Sequence, residues 1–140
     1  MSLPRKACPA VIRRTTGDVE ILAFRHPTAG CQLVKGTIEP AESVERAAER
    51  ELFEESGLIG RAIKYLGAVQ VDGPEQEWHF VLCQVDIGQL PETWTHHTSD
   101  GCGLDFAFFW RPLHQQPDES WHPIFRQALA FLGSRINSLP

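Results

Sequence analysis

The chain has 140 residues, 42% of them hydrophobic, with a formal net charge of −5 at pH 7 and a pI near 5.6. That length suits one domain, spanning 1–140, with a single core and no linker. The acidic balance argues against a duplex nucleic-acid binder or a membrane-surface binder, both of which need a basic face. It does not argue against a small polyphosphate ligand, because a metal ion can neutralise phosphates locally.

Ala7 to Arg14 reads as a strand, with Pro9 tolerable at an edge or a bulge. Thr15 to Asp18 is a turn and Val19 to Phe24 a second strand, together a hairpin. Arg25 to Cys31 breaks the pattern with Pro27 and Gly30, and Gln32 to Val34 is a short strand that runs into Lys35-Gly36. A helix follows from Val44 to Ser56: Ser43 can cap its first turn, Glu45 suits the positive end of the dipole, and Gly57 is a stop. At about 100° per residue, Val44, Ala47, Ala48 and Leu52 form the apolar stripe of this helix. Glu51 and Glu55 fall inside that stripe, and Glu54 lies at its edge, one turn from Arg50. Carboxylates one turn apart repel, and desolvation raises the cost. A hard divalent cation with oxygen ligands, Mg²⁺ or Mn²⁺, resolves the conflict. The alternative is a wet acidic face paired with Arg46, Arg50 and Lys64.

Beyond Gly57 a strand is expected near Ile63 to Val71, then a turn at Asp72-Gly73-Pro74. A long strand at Trp78 to Ile87, apolar on both faces, reads as central. Gly88 to about Gly103 reads as a long loop, of the kind that closes over a ligand. Phe106 to Trp110 is the last strand, and Pro123 opens a terminal helix whose Phe125, Ala128, Leu129, Leu132 and Ile136 mark one buried face. Cys8, Cys31, Cys83 and Cys102 show no C-x-x-C spacing, so reduced thiols are expected, with Cys83 in the core. The N-terminus lacks a secretory apolar core, and no apolar stretch reaches the ~18 residues of a membrane span, so a cytoplasmic protein is expected.

Gly36, Glu42, Arg50-Glu51-Leu52, Glu54-Glu55 and Gly57-Leu58 match every fixed position of G-x5-E-x7-R-E-U-x-E-E-x-G-U, where U is aliphatic. This stretch resembles the Nudix box. The resemblance implies an α/β fold, a Nudix-like α/β/α sandwich with a mixed β-sheet between helices. It also implies metal-dependent hydrolysis of a pyrophosphate bond in a nucleoside diphosphate linked to another group, by water attack at phosphorus. Carried over residue by residue, Glu51, Glu54 and Glu55 are expected metal ligands, with a backbone carbonyl at Lys35 or Gly36 as a further one. Arg50 would orient the ligands, Glu42 would fix the loop, and Glu51 or Glu54 is a candidate base. An alternative is a non-catalytic Nudix-fold module that binds a nucleotide for regulation, which loss of a ligand glutamate would favour. All three are present.

Outside the box, Lys35 and Arg25 are candidate substrate contacts, with His26 beside Arg25. Asp105, Asp100 and Glu77 are candidates for a late acid, against a simple role in turns. Trp78, Phe80 and Tyr65 could stack on a base but suit a core better, and His79, alternating with Val81 and Cys83, suits a satisfied core histidine. His96 and His97 could touch phosphate from a closed loop. Lys-Gly-Thr-Ile-Glu-Pro resembles the opening seen in dinucleoside polyphosphate hydrolases. Neither the extra motif of NADH-cleaving members nor the upstream motif of coenzyme A-cleaving ones is present. Nucleoside triphosphates, dinucleoside polyphosphates and nucleotide sugars stay open as substrates, and both monomer and homodimer stay open as assemblies.

Overall fold

The computed structural model of the protein describes residues 3–99 and 103–139. Nine strands and two helices follow in order: β1 (Arg5–Ala10), β2 (Ile12–Thr15), β3 (Asp18–His26), β4 (Gly30–Gln32), β5 (Gly36–Thr37), α1 (Val44–Ser56), β6 (Arg61–Val71), β7 (Gln76–Gln84), β8 (Trp94–Thr98), β9 (Leu104–Pro112) and α2 (Ile124–Asn137). The strands form two sheets. One is mixed, in the order β5-β1-β7-β6, and the other is antiparallel, β2-β3-β9-β8 with β4 paired to β3. This is the expected α/β sandwich, with the sheet content divided in two.

The division begins at Val11. A continuous run of alternation from Ala7 to Arg14 looks like one strand, but β1 pairs parallel with β7, whereas β2 turns back on β3. Val11 sits at the handover, and its carbonyl accepts from Leu22 N–H at 2.9 Å. Pro9 lies beyond the short pairing of β1 with β5, which involves Lys6 and Ala7. Its missing N–H therefore falls where that ladder has ended. The central strand is β7, with β1 on one side, β6 on the other and buried residues from Trp78 to Cys83.

Side-chain alternation then separates two cores. Cys8, Trp78 and Phe80 join the buried face of α2, which carries Phe125, Ala128, Leu129, Leu132 and Ile136 as the spacing predicts. Ala7, Val81 and Cys83 join Ala47, Ala48 and Leu52 of α1, together with Phe24, Phe106 and Phe108 from the second sheet. Trp78 and Phe80 are therefore core residues and not platforms for a base. Cys8, Cys31 and Cys83 are buried free thiols, and burial pushes the Cys83 thiol up to about 12.

The segment after Gly88 departs from expectation. In place of a structureless loop, a 3-10 turn at Ile87–Gln89 is followed by β8, which pairs antiparallel with β9 from Trp94↔Phe108 to Thr98↔Leu104. The Trp94 ring stacks on Phe108 at 5.2 Å and its indole N–H donates to the Ser56 carbonyl at 3.1 Å. Those contacts hold the described part of the segment as a hairpin strand under the end of α1. Asp100 and Cys102, which follow β8 in the sequence, lie outside the described residues. Among the described residues no helix is long and apolar enough to cross a membrane.

Candidate active site

Local chemistry sets both ends of α1. Ser43 Oγ accepts from Arg46 N–H at 3.1 Å, and Gly57, at φ 81°, turns its N–H back to the Phe53 carbonyl at 2.9 Å. Only a residue without a Cβ takes that left-handed conformation at little cost. Between these caps Ala47, Ala48 and Leu52 are fully buried, and Glu51 and Glu55 are buried beside them, at 6% and 7% exposure. The conflict read from the sequence is thus present in the fold.

Arg50 ties the site together. Its Nε and Nη2 donate to the two carboxylate oxygens of Glu42 at 2.8 and 2.9 Å, a bidentate pair. Nη1 donates to Glu51 Oε1 at 2.8 Å and lies 3.3 Å from both oxygens of Glu54, and Nη2 also reaches the Thr37 carbonyl at 2.9 Å. One guanidinium therefore joins the loop before the helix to two carboxylates on it. Glu42 additionally accepts from Glu39 N–H at 2.9 Å, which closes the loop on itself.

These contacts move the carboxyls in opposite directions. Arg50, with help from the Glu39 amide, holds Glu42 down at about 2. Burial raises Glu51, against the lowering effect of its hydrogen bond with Glu55 and of Arg50. A carboxyl lowered in the fold contributes stability that is present above its unfolded value of about 4.5 and is lost as pH falls toward about 2. Acid titration of the metal-free protein is accordingly expected to remove roughly 2 kcal/mol through Glu42 in that window, the full linkage being reduced for its partial exposure. A Glu42→Gln variant should show no such component, and denaturant melts between pH 5 and 2.5 check this.

Gly36 gives the clearest local fit. It pairs with Ala7 at the edge of the mixed sheet, and a Cβ built on it would fall inside the Glu51 carboxylate. The missing side chain is what lets that carboxylate lie against the backbone. Buried carboxylates gathered at a bare stretch of chain form an all-oxygen donor set, the chemistry that suits Mg²⁺ or Mn²⁺. Among the described residues no three acidic, histidine or cysteine side chains already converge as a metal cage. Arg50 and the Glu51–Glu55 hydrogen bond occupy the carboxylates instead.

The other candidates are distributed around this centre. Lys35, one residue before Gly36, belongs to the opposite face, with its ammonium 5.5 Å from the Trp78 ring. Arg25 is exposed on β3, opposite Ala107 of β9, with its guanidinium 6.0 Å from the Phe109 ring. Asp105, exposed on β9, meets His97 Nδ1 at 2.7 Å. His96 stands at the end of α1, where a Cβ on Gly57 would come within 2.9 Å of its Nδ1. His26 Nδ1 accepts from the amides of Thr28 and Ala29, which makes it a turn residue. His79 is buried with both ring nitrogens occupied, by Tyr65 Oη at 2.8 Å and Glu77 at 2.5 Å. Glu77 is thereby committed to His79, and Tyr65 hydrogen bonds rather than stacking. Sequence reasoning missed Glu49, which accepts from Ala62 N–H at 2.8 Å and fastens β6 to the helix. No local pattern announces that contact.

A model of the NUDIX domain matches residues 3–130. The NAD-capped RNA hydrolase NudC of Actinobacillus succinogenes is 32% identical over 91 residues, covering 59% of this chain and 34% of that protein. The putative 8-oxo-dGTP diphosphatase YtkD of Bacillus subtilis is 40% identical over 55 residues, covering 39% of this chain and 35% of that protein. The chain thus spans about a third of the length of these curated relatives. Among solved structures, a UDP-X diphosphatase superposes with a TM-score of 0.69 at 15% identity, covering 98% of this chain and 64% of the other. An ADP-ribose pyrophosphatase of Streptococcus suis superposes with a TM-score of 0.63 at 18% identity, covering 96% and 93%. At such identities the structures establish the fold. With its box complete and the family model matching nearly its whole length, the chain belongs to the NUDIX domain family.

Proposed function

We propose that the protein hydrolyses a pyrophosphate bond in a nucleoside diphosphate linked to another group, using Mg²⁺ or Mn²⁺. The observation that carries this reading is the burial of Glu51 and Glu55 side by side, Glu51 lying against Gly36, with a single arginine restraining Glu51 and Glu54. Glu51, Glu54, Glu55 and the Gly36 carbonyl would hold the cation. When bound, such a cation neutralises phosphate oxygens and makes a coordinated water more acidic. Glu51 or Glu54 would accept the proton of the attacking water at a carboxylate oxygen. The new bond forms between water oxygen and phosphorus, and the bond from that phosphorus to the bridging oxygen breaks. Arg50 would fix the carboxylates at the separation this requires. Arg25, Asp105 and Lys35 are proposed substrate contacts on their charge alone, since Arg25 and Asp105 are exposed on the face of β3 and β9 opposite Phe24 and Phe106, and Lys35 lies over Trp78.

The names of the relatives widen the substrate panel. It should include 8-oxo-dGTP, NAD-capped RNA, ADP-ribose and UDP-linked compounds beside nucleoside triphosphates, dinucleoside polyphosphates and nucleotide sugars. Each is assayed with Mg²⁺ and with Mn²⁺, in ¹⁸O-water, with products identified by mass. Turnover is expected with added metal only, with label on a phosphate product. Label confined to a non-phosphate product, or full turnover in excess chelator, contradicts the proposal. Melts that respond to a compound which is never cleaved would indicate a binding module.

A further inference from the structure

On the α2 side of the second sheet, Arg111 of β9 is 5% exposed, yet it makes no ion pair among the described residues. Its Nη2 donates to the Gln115 carbonyl at 2.5 Å, and its guanidinium carbon lies 5.1 Å from the centre of the Trp121 ring. Nη1 is buried with no hydrogen-bond partner among the described residues. Burial lowers the pKa of this guanidinium, with Cys31 and Asp118 only partly opposing it. A guanidinium stays charged in a protein all the same. A buried, unpaired cation with an idle donor is costly unless an anion completes it.

Space for one is present. Arg111 walls a cavity of about 160 Å³ together with Arg25, Phe109, Gln115, Asp118 and Ser120. At roughly 30 Å³ per water this is room for about five waters, or for one oxyanion and some solvent. The register places Phe109 between the two arginines, since Arg25 lies opposite Ala107. Asp118, the acid of the cavity, already accepts from Ser120 N–H at 2.8 Å and from Ser120 Oγ at 2.5 Å. Two guanidiniums thus face one carboxylate that is otherwise engaged.

We propose that this cavity is a second binding site, for a tetrahedral oxyanion of the phosphate class, held between Arg111 and Arg25. Guanidinium forks match such oxygens in bidentate fashion, and the two arginines reach the wall of the space from β9 and from β3. Phosphate chemistry can arrive as the free ion or carried on a nucleotide. The inference rests on Arg111 and does not depend on the metal reading of α1.

The test is a calorimetric titration of inorganic phosphate in excess chelator, against chloride at equal ionic strength, with parallel thermal melts. The parent should bind one phosphate saturably, with a Tm several degrees higher at saturation. Arg111→Gln and Arg25→Gln should each weaken binding at least ten-fold and lose the Tm shift. If Arg111→Gln does not fold, Arg111→Lys decides in its place, because it keeps the charge but loses the planar fork and belongs to no proposed substrate contact; it should weaken phosphate binding in the same way. AMP serves as the second ligand. Binding at least ten-fold tighter than phosphate, and also lost in the variants, means a nucleotide-borne phosphate, whereas equal binding means the free ion. Absence of saturable phosphate and AMP binding, or binding that the variants retain, overturns the proposal.

Discussion

Arg50→Met is expected to destabilise the metal-free protein by about 2–4 kcal/mol. The parent side chain makes charge-assisted hydrogen bonds to Glu42, Glu51 and Glu54, and one to the Thr37 carbonyl. Each bond to a charged partner is worth ~1.5–3 kcal/mol on removal, and the partial exposure of the guanidinium scales the total down. Methionine replaces the aliphatic stem but leaves the carboxylates facing one another. Arg50→Lys restores the charge without the planar fork, so it should recover at most about half of the loss. Urea melts in chelator measure both variants. A methionine variant within about 0.5 kcal/mol of the parent would mean that Arg50 is an ordinary surface cation.

Glu51→Gln should lower kcat by about 10²–10⁴, whether the residue serves as metal ligand, as base or as both. Stability should move the other way or not at all. The Glu51 carboxyl is raised by burial, so its ionised form is penalised in the fold, and glutamine removes that penalty while keeping the shape. Activity and stability therefore separate at this position, unlike at Arg50, where both should fall. Steady-state kinetics on whichever panel compound is cleaved, beside melts in chelator, test the pair of effects. A variant that keeps more than about a tenth of the parental kcat contradicts the assignment.

The helix was legible from residue to residue because its determinants are local. Ser43 and Gly57 act within one turn of themselves, and a period near 100° is enough to place Glu51 and Glu55 on the inward face. Family resemblance then supplied the meaning of that placement. The reach of Arg50 back to Glu42 was not read, since it depends on how the loop from Gly36 to Ser43 closes. β8 escaped the reading for a different reason. Trp94-Thr95-His96-His97-Thr98 shows no aliphatic alternation, and its strand character comes from Trp94 packing on Phe108 and hydrogen bonding to Ser56.

The division into two sheets was invisible for a third reason. Alternation reports which face a side chain takes but not which neighbour the backbone pairs with, so β1 and β2 look continuous across Val11. Arg111 carries the same lesson. An arginine at the end of a strand reads as a solvated terminus, and only the return of Trp121 and the Gln115 carbonyl over it shows that it is enclosed.

The central claim is that Glu51 and Glu55 are placed together to hold a divalent cation. Thermal melts of the parent and of Glu55→Gln, each in chelator and in millimolar Mg²⁺, test it most directly. In chelator the variant should melt at the same temperature as the parent or higher, by an amount worth roughly 0.5–2 kcal/mol, because one of two crowded buried carboxyls has lost its charge. In Mg²⁺ the parent should gain stability by mass action and the variant should lose most of that gain. A variant clearly less stable than the parent in chelator, with its response to Mg²⁺ intact, would contradict the claim and leave Glu55 a structural residue.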